Sequence, residues 1–438
     1  MSLHHAGRTP GSGVRISFTP VCPAVVLALM LTSTPAVFAA DTDLRLLSLD
    51  EAVRLAEEDA PTIAARKASV ESTENAVAPA GALPDPQLVA GIDNLPVSND
   101  DAFSVTRDFM TMRKIGVMQD FPQRAKRKSR TERAQAMAER ERALLTTERL
   151  SVREAVARTW IARATAEHRL QLLQALQPRA EAQVAAATAA LSAGRGSAAD
   201  GIAAKVDQAM LADRISQVQR EVDEARADFA RWLPDAADRP LGDAPDWSDL
   251  GVGVNPDTLV GNIAHHRELL AYDAAEQAAN ADVAMARAEK RPDWSVELDY
   301  AQRGPQFSNM ISLEFRIGLP IFPTHRQDST IASKLAAVTQ IEAEREDARR
   351  MHTAELRKTL TAWRSAGERV QRYEHDLLPL ADDRAEAALA AYRGGRGELQ
   401  ASLSALDEAI EQRIVYTELQ NTFGQAWAAL HFAFPEER

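Results

Sequence analysis

Residues 293–322 read DWSVELDYAQRGPQFSNMISLEFRIGLPIF, and their pattern breaks with the rest of the chain. Trp294, Val296, Leu298 and Tyr300 alternate with Ser295, Glu297 and Asp299. After a polar turn, Ile311, Leu313, Phe315, Ile317 and Leu319 alternate with Ser312, Glu314, Arg316 and Gly318. An apolar residue at every second position is the period of a β-strand, whose side chains point alternately to opposite faces. Two such runs around a short turn predict a hairpin with strands over 294–302 and 310–321. One face is apolar and the other is charged.

Outward from the hairpin the chain is helical. Residues 124–177 hold neither Gly nor Pro and predict one long helix. Pro178 kinks it, and the helix carries on to residue 193. A turn at Gly194, Arg195 and Gly196 follows, then a helix over 198–232. Residues 233–256 contain four prolines and three glycines and read as a loop-rich interlude. Helix resumes over 257–290. Beyond the hairpin the same order recurs: a long helix over 324–378, Pro379, a turn at Gly394, Gly395, Arg396 and Gly397, and a last helix over 398–432.

The recurrence has a fixed spacing. Phe121-Pro122 matches Phe322-Pro323, Pro178 matches Pro379, and Gly194-Arg195-Gly196 matches Gly395-Arg396-Gly397, each 201 residues on. Upstream, Pro84-Asp85 matches Pro292-Asp293 at 208, so the first hairpin loop is seven residues longer. The chain is a tandem duplication of helix, hairpin, long helix, turn and helix. The first repeat spans 41–232, with strands over 87–93 and 113–121 and a tip turn at 193–197. A linker at mid-height covers 233–256. The second repeat spans 257–432, with a tip turn at 393–397, and 433–438 is a tail. At about 1.5 Å per residue, the helices 198–232 and 257–290 are each roughly 50 Å, and end to end they match the long helix. They are expected to stack on one another, and the helix 48–82 on the helix 398–432.

The bulk numbers bound the class. The 438 residues are 45% hydrophobic but only 5% aromatic, which favours thin, closely spaced helical layers over a thick core. A formal net charge of −12 argues against non-specific nucleic-acid binding. Arg8 and Arg15 precede the apolar run AVVLALML at 24–31 and then TSTPAVFAAD, the layout of an export signal over 1–40 with cleavage after Ala39 or Ala40. The single cysteine, Cys22, lies within that leader and ahead of its main apolar run, the wrong place for a lipid anchor. The remaining chain offers no disulfide and no thiol nucleophile.

No catalytic set emerges. His168, His265, His266, His325, His352, His375 and His431 show neither HExxH nor metal-ligand spacing, and no phosphate-binding loop or nucleophile elbow is present. No enzyme activity, cofactor or metal site is expected. Met110, Met112, Met118 and Met310 gather around the hairpins, where packing is the simpler role for a thioether. RAKRKSR at 124–130 is either a solvated basic face or a contact with anionic headgroups.

The question is what the apolar face of the hairpins meets. Its opposite side carries Glu297, Asp299, Glu314 and Arg316, too charged for burial under helices. Trp294, Tyr300, Phe315 and Phe322 lie toward strand ends, where aromatic girdles flank a lipid-facing band. A sheet in hydrocarbon must close on itself. Four strands per chain are too few to close, and three chains supply twelve. Trp294, Val296, Leu298, Tyr300, Leu313, Phe315 and Ile317 are then expected to face lipid, and Glu297, Asp299, Glu314 and Arg316 a water-filled lumen. The competing expectation is a periplasmic coiled-coil adaptor or scaffold without a pore.

This layout resembles the TolC-like outer-membrane efflux proteins over about residues 46–434. ALPDPQLVAGIDNLPV, FMTMRKIGVMQDFPQRAKRKSR and IGLPIFPTHRQD resemble the branch that serves heavy-metal pumps of the resistance-nodulation-division type. The resemblance implies a fold that is mainly α with transmembrane β: a homotrimer with a 12-stranded β-barrel continuous with a 12-helix periplasmic α-barrel. It implies a passive exit duct in the outer membrane that works with an inner-membrane pump and a periplasmic membrane-fusion adaptor. The turns around Gly194, Arg195, Gly196, Gly394, Gly395, Arg396 and Gly397 become the tips that meet the adaptor. The family's acidic constriction beside the tips is only partly matched, with Asp200 in the first repeat and Glu398 in the second as candidates, because Ala401 and Ser404 stand where acids are expected.

Overall fold

The computed structural model of the chain describes residues 46–251 and 255–435, which fall in one compact unit. The export signal expected over 1–40 lies outside the described residues. Three helices open the fold: α1 (Leu49–Asp59), α2 (Pro61–Asn75) and α3 (Val77–Ala80). The single helix expected over 48–82 is broken at Ala60, whose ψ of 120° is extended. Pro61 imposes this, since proline disfavours helical backbone in the residue before it. Ser48 starts α1 by accepting the Glu51 N–H on its hydroxyl (3.2 Å).

Strands β1 (Gln87–Asp93) and β2 (Met112–Phe121) precede α4 (Arg124–Gln174), α5 (Gln177–Ser192) and α6 (Ala198–Ala230). After the linker come α7 (Arg267–Ala288), β3 (Trp294–Gln302), β4 (Met310–Ile317), α8 (Gln327–Arg372), α9 (Leu378–Arg393) and α10 (Leu399–His431). The 51 residues of α4 make about 77 Å of unbroken helix. The two matched prolines are absorbed differently. Before Pro178 the helix stops at Gln174 and restarts at Gln177. Before Pro379 it stays continuous through one wider turn of π geometry, Tyr373–Leu377, which takes up the hydrogen bond that proline cannot make.

Two boundaries differ from expectation. Helix α7 starts at Arg267 rather than at 257, because Asn255 folds the chain into a turn, its side-chain oxygen accepting the Asp257 N–H (2.9 Å). Strand β4 ends at Ile317 rather than at 321. Gly318 still donates to the Asp293 carbonyl (2.9 Å), but β3 begins only at Trp294, so the ladder has no further partner, and Pro320 brings no N–H.

The four strands form one antiparallel sheet in the order β1-β2-β3-β4, so the hairpins join side by side through β2 and β3. The helices pack beside it in two half-lengths. Nearer the sheet α4 lies between α2 and α7, and α7 in turn touches α8: Asp282 of α7 accepts from Arg133 of α4 and from Lys334 of α8 (2.9 Å). Farther away α4 lies between α6 and α10, with Arg169 bonded to Glu221 of α6 (2.9 Å) and to Thr417 of α10 (2.8 Å). The half-helices between α4 and α8 are therefore α7 and α10, joined where Arg267 N–H donates to the Ala433 carbonyl (3.0 Å). The expected stackings of 198–232 on 257–290 and of 48–82 on 398–432 are both wrong. Both α6 and α10 have 33 residues, so length could not tell them apart, and the linker carries the chain across α4 to continue α10 instead.

Burial is densest at this mid-height joint and thins away from it. Trp160, Ile161, Phe229, Leu47 and Leu430 are fully buried there. Next come Leu173, Leu176, Leu211, Leu406 and Ile410, and nearest the tips Ala187, Ala204, Leu399 and Leu403. Small residues there let helices approach closely. The linker is held by donors from the helices. Buried Arg163 of α4 donates to the carbonyls of Ala237 (2.8 Å) and Arg239 (2.9 Å). The indoles of Trp363 and Trp427 donate to the carbonyls of Trp247 (2.9 Å) and Asp249 (2.7 Å).

Candidate functional site

The ladder register sorts the strand residues onto two faces. Leu298 lies opposite Val117 and Leu313, Tyr300 opposite Ile115 and Ile311, and Val296 opposite Gln119 and Phe315. With Leu88, Ala90 and Ile92 of β1 these make one apolar face. Most of its large side chains are exposed, from Trp294 at 43% to Ile311 at 76%, and Val296 is half-buried. Trp294 stacks on Phe121 at the helix-facing end, ring centroids 4.2 Å apart. At the other end the Tyr300 hydroxyl accepts from the Asn309 side chain (2.7 Å).

The second face holds Glu297, Asp299, Glu314 and Arg316, joined by three residues of the first hairpin: Asp93, Lys114 and Asp120. Lys114 lies 3.6 Å from Asp93 and 3.7 Å from Glu297. Arg316 pairs with Glu297 and with Glu314 (2.7 Å). Asp299 lies over Gly116, where a Cβ would come within 1.9 Å of its Oδ1. Glycine at that strand position makes room for the carboxylate. Sequence reasoning missed Asp93 and Lys114, because glycines at 91 and 116 dilute the alternation in the first hairpin. Parity along the strand would have found them once the register was known.

The basic run after β2 is neither wholly solvated nor free. Lys126 is buried and bonds Asp293 (2.8 Å) and Glu289 (3.2 Å), while Asp293 also accepts the Gln123 N–H (3.0 Å). These bonds brace the sheet against α4 and α7. Met118 accepts a contact from the Arg316 guanidinium on its sulfur (3.1 Å). Among the described residues no group of three or more His, Cys, Asp and Glu side chains is placed to hold a metal ion. No described helix is long and apolar enough to cross a membrane.

At the far end of the helices stand two turns of one design. Gly194 and Gly395 have φ of 71° and 69°, a left-handed backbone that glycine adopts without steric cost. Arg195 N–H donates to the Ala190 carbonyl and Arg396 N–H to the Ala391 carbonyl, both at 2.9 Å, closing each helix end. A Cβ on Gly196 or Gly397 would press against Ala190 or Ala391 at 3.1 Å. Gly394 caps α9 with ordinary helical backbone. The turns neighbour each other, since a Cβ on Gly395 would come within 2.8 Å of the Arg195 guanidinium.

The helices after the turns begin differently. Ser197 accepts the Asp200 N–H (3.1 Å) while Asp200 accepts the Ser197 N–H (2.8 Å), a reciprocal capping box. Glu398, the matched N-cap residue of α10, makes no capping bond. One carboxylate oxygen of Asp200 is thus engaged by its own helix. Deeper in, Asp207 of α6 is pushed above the usual aspartate range by burial and by Asp407 of α10. Between α9 and α10, Asp382 accepts two bonds from Arg413 (both 2.8 Å) and one from Arg179 of α5. Burial works against the Asp382 carboxylate, and the two guanidiniums outweigh it and hold its pKa below the usual range.

No protein-family model matches the chain, and no curated protein matches it in sequence. Solved structures do match. The outer-membrane channel OprN aligns over 88% of this chain and 90% of its own, at 16% identity and a TM-score of 0.73. CusC, whose structures describe transmembrane channel formation, aligns over 88% and 92%, at 15% identity and 0.72. The outer membrane protein VceC of Vibrio cholerae aligns over 88% and 95%, at 17% identity and 0.71. Such identities establish shape rather than activity: the chain has the fold of these outer-membrane channels.

Proposed function

We propose that three copies of this chain form an outer-membrane exit duct of a tripartite efflux system. The observation that carries the reading is the sheet. It exposes a wide apolar face, gathers its charges on the other, and ends in two open edges, β1 and β4. An apolar face with open edges suits hydrocarbon only when further strands close it. Twelve strands from three copies do so, with Trp294, Val296, Leu298, Tyr300, Leu313, Phe315 and Ile317 toward lipid and Glu297, Asp299, Glu314 and Arg316 toward the lumen. The likeness to outer-membrane channels supports the same arrangement.

In this reading the helices build the periplasmic tunnel and the paired Gly turns are its tips. The tips meet a periplasmic adaptor that links the duct to an inner-membrane pump of the resistance-nodulation-division type. A constriction is proposed beside them, at Asp200 and Glu398. The duct does no chemistry and draws its driving force from the pump. Heavy-metal ions are the proposed cargo, on the resemblance of the three stretches around the hairpins.

Cell fractionation with size analysis tests the duct. Trimers in the outer membrane that require detergent are expected, and a soluble monomer would replace the duct with a poreless periplasmic scaffold. Deletion of the gene is expected to sensitise cells to Cu, Zn, Co or Cd more than to drugs. The reverse pattern removes metals as the cargo and leaves the duct.

A further inference from the structure

An open cleft of about 610 Å³ lies where the helix-facing ends of β2, β3 and β4 meet the adjoining ends of α4, α7 and α8. That is room for a small ligand. Its cations outnumber its acids: Lys126, Arg130, Arg291, Arg316 and Arg326 stand against Asp120, Glu289 and Asp293. Three of the five cations are engaged. Lys126 bonds Asp293 and Glu289, Arg130 lies 3.6 Å from Glu289, and Arg316 turns to Glu297 and Glu314 of the sheet. Arg291 and Arg326 are exposed, and among the described residues their guanidiniums have neither a hydrogen bond nor an ion pair. Asp120 pairs with neither. The two come from different connections, Arg291 from the link between α7 and β3 and Arg326 from that between β4 and α8. The remaining wall is apolar, formed by Trp294, Leu319 and Pro320. Trp294 belongs to the apolar face of the sheet, and Leu319, 68% exposed, continues the alternation of β4 past Ile317.

We propose that this cleft binds the phosphate group of an anionic phospholipid. The inference rests on the duct reading, which sets the helix-facing end of the sheet at the periplasmic leaflet. The stacked Trp294 and Phe121 rings stand at that end, as aromatic residues do at a membrane interface. Guanidiniums keep their charge and meet phosphate oxygens with paired N–H donors. Arg291 and Arg326 would share one phosphate, which supplies the counter-charge that the described chain leaves them without. The acyl chains lie against Trp294 and Leu319 and run on over the apolar face. A soluble phosphate would suit the two arginines equally but makes no use of that wall, so the lipid is the better fit. A lipid held there ties β3, β4, α7 and α8 together at the depth of the leaflet.

The full chain, purified as trimers in mild detergent and stripped of lipid, is titrated with phosphatidylglycerol and followed by native mass spectrometry. Phosphatidylcholine and inorganic phosphate form separate arms. Phosphatidylglycerol is expected to bind well ahead of phosphatidylcholine and to hold against millimolar inorganic phosphate. Arg291→Gln with Arg326→Gln is expected to weaken its binding roughly 25-fold, about five-fold for each cation lost. Arg124→Gln, on the neighbouring basic run but outside the cleft, is expected to leave it unchanged. If the double variant fails to assemble, Arg326→Gln alone, with a loss of about five-fold, gives the same test. Equal binding of the two lipids, unchanged binding in the arginine variants, or displacement by inorganic phosphate overturns the proposal and leaves the duct intact. A soluble monomer removes the duct and the proposal with it.

Discussion

The internal duplication predicts how one copy of the chain pairs with the next. Within the chain Gln87 pairs with Met118, Arg113 with Gln302, and Trp294 with Ile317. The Pro-Asp match carries β1 onto β3 with an offset of 208. The two hairpin registers then carry β2 onto β4 with an offset of 198. Applying the β2–β3 register to the edge between copies sets Leu313 opposite Ile92, Ser312 opposite Asp93 and Ile317 opposite Leu88. Six of the seven residues of β1 find partners within β4, and apolar residues meet apolar ones on one face. Neighbouring antiparallel pairs alternate between Cα separations of about 4.5 and 5.5 Å. Both lie inside the range of about 4.4–6.8 Å that a disulfide spans. In a Cys22→Ser background, Leu313→Cys with Ile92→Cys and Ser312→Cys with Asp93→Cys are expected to give disulfide-linked dimers and trimers on non-reducing gels. Leu313→Cys with Leu88→Cys is four residues out of register, about 13 Å, and is expected to stay uncrosslinked. Linking in the last pair alone refutes the register, and linking in none refutes the edge-to-edge seam.

Four other outcomes are expected. Gly395→Val forces a branched residue to a φ of 69° against the Arg195 guanidinium, at a cost of about 1–2 kcal/mol. Trimers are expected to survive on size analysis while resistance is lost, and full resistance would remove the tip from the adaptor contact. Ser197→Ala breaks the capping box and costs about 1 kcal/mol, seen as faster hydrogen exchange in the first turn of α6 and not of α10. His266, pulled down to about 4 by burial, by His352 and by Arg267, favours its neutral form when folded. Its contribution is full above the unfolded pKa of about 6.5 and is lost as pH falls toward 4. It is worth about 1–2 kcal/mol after solvent screening. Thermal melts from pH 7 to 4 should show that slope, and His266→Asn should flatten it. Arg163→Met strands two linker carbonyls and costs about 3 kcal/mol. Faster protease cleavage within 234–250 is expected, and unchanged cleavage refutes the anchoring role.

The second hairpin was legible because a period of two survives nearly every position from Trp294 to Ile317. The long helices were legible because Pro is missing from α4 and α8 and Gly occurs there only at Gly367. The path of the chain between half-helices was not. It depends on which neighbour the linker reaches, and that is decided by contacts far apart in sequence, such as Arg163 with Ala237 and Trp427 with Asp249. The partners of the charged face were hidden for a related reason. Eighteen residues separate β1 from β2, too long a loop to fix a register, so the parity of Asp93 and Lys114 stayed undetermined until the ladder was seen.

The duplication also shows where equal sequence spacing stops meaning equal structure. At an offset of 201 the left-handed glycines agree within two degrees, and so do the bonds that close each helix. One residue beyond each GRG, the copies part. Ser197 and Asp200 lock the first turn of α6, whereas Glu398 and Ala401 leave the first turn of α10 without a side-chain cap. The same contrast appears upstream, where one proline breaks its helix and the other only widens a turn. In a trimer of such chains the six tips would alternate between a turn followed by a capped helix and one followed by an uncapped helix. A partner that binds all six turns therefore meets a repeat of two rather than six equal sites.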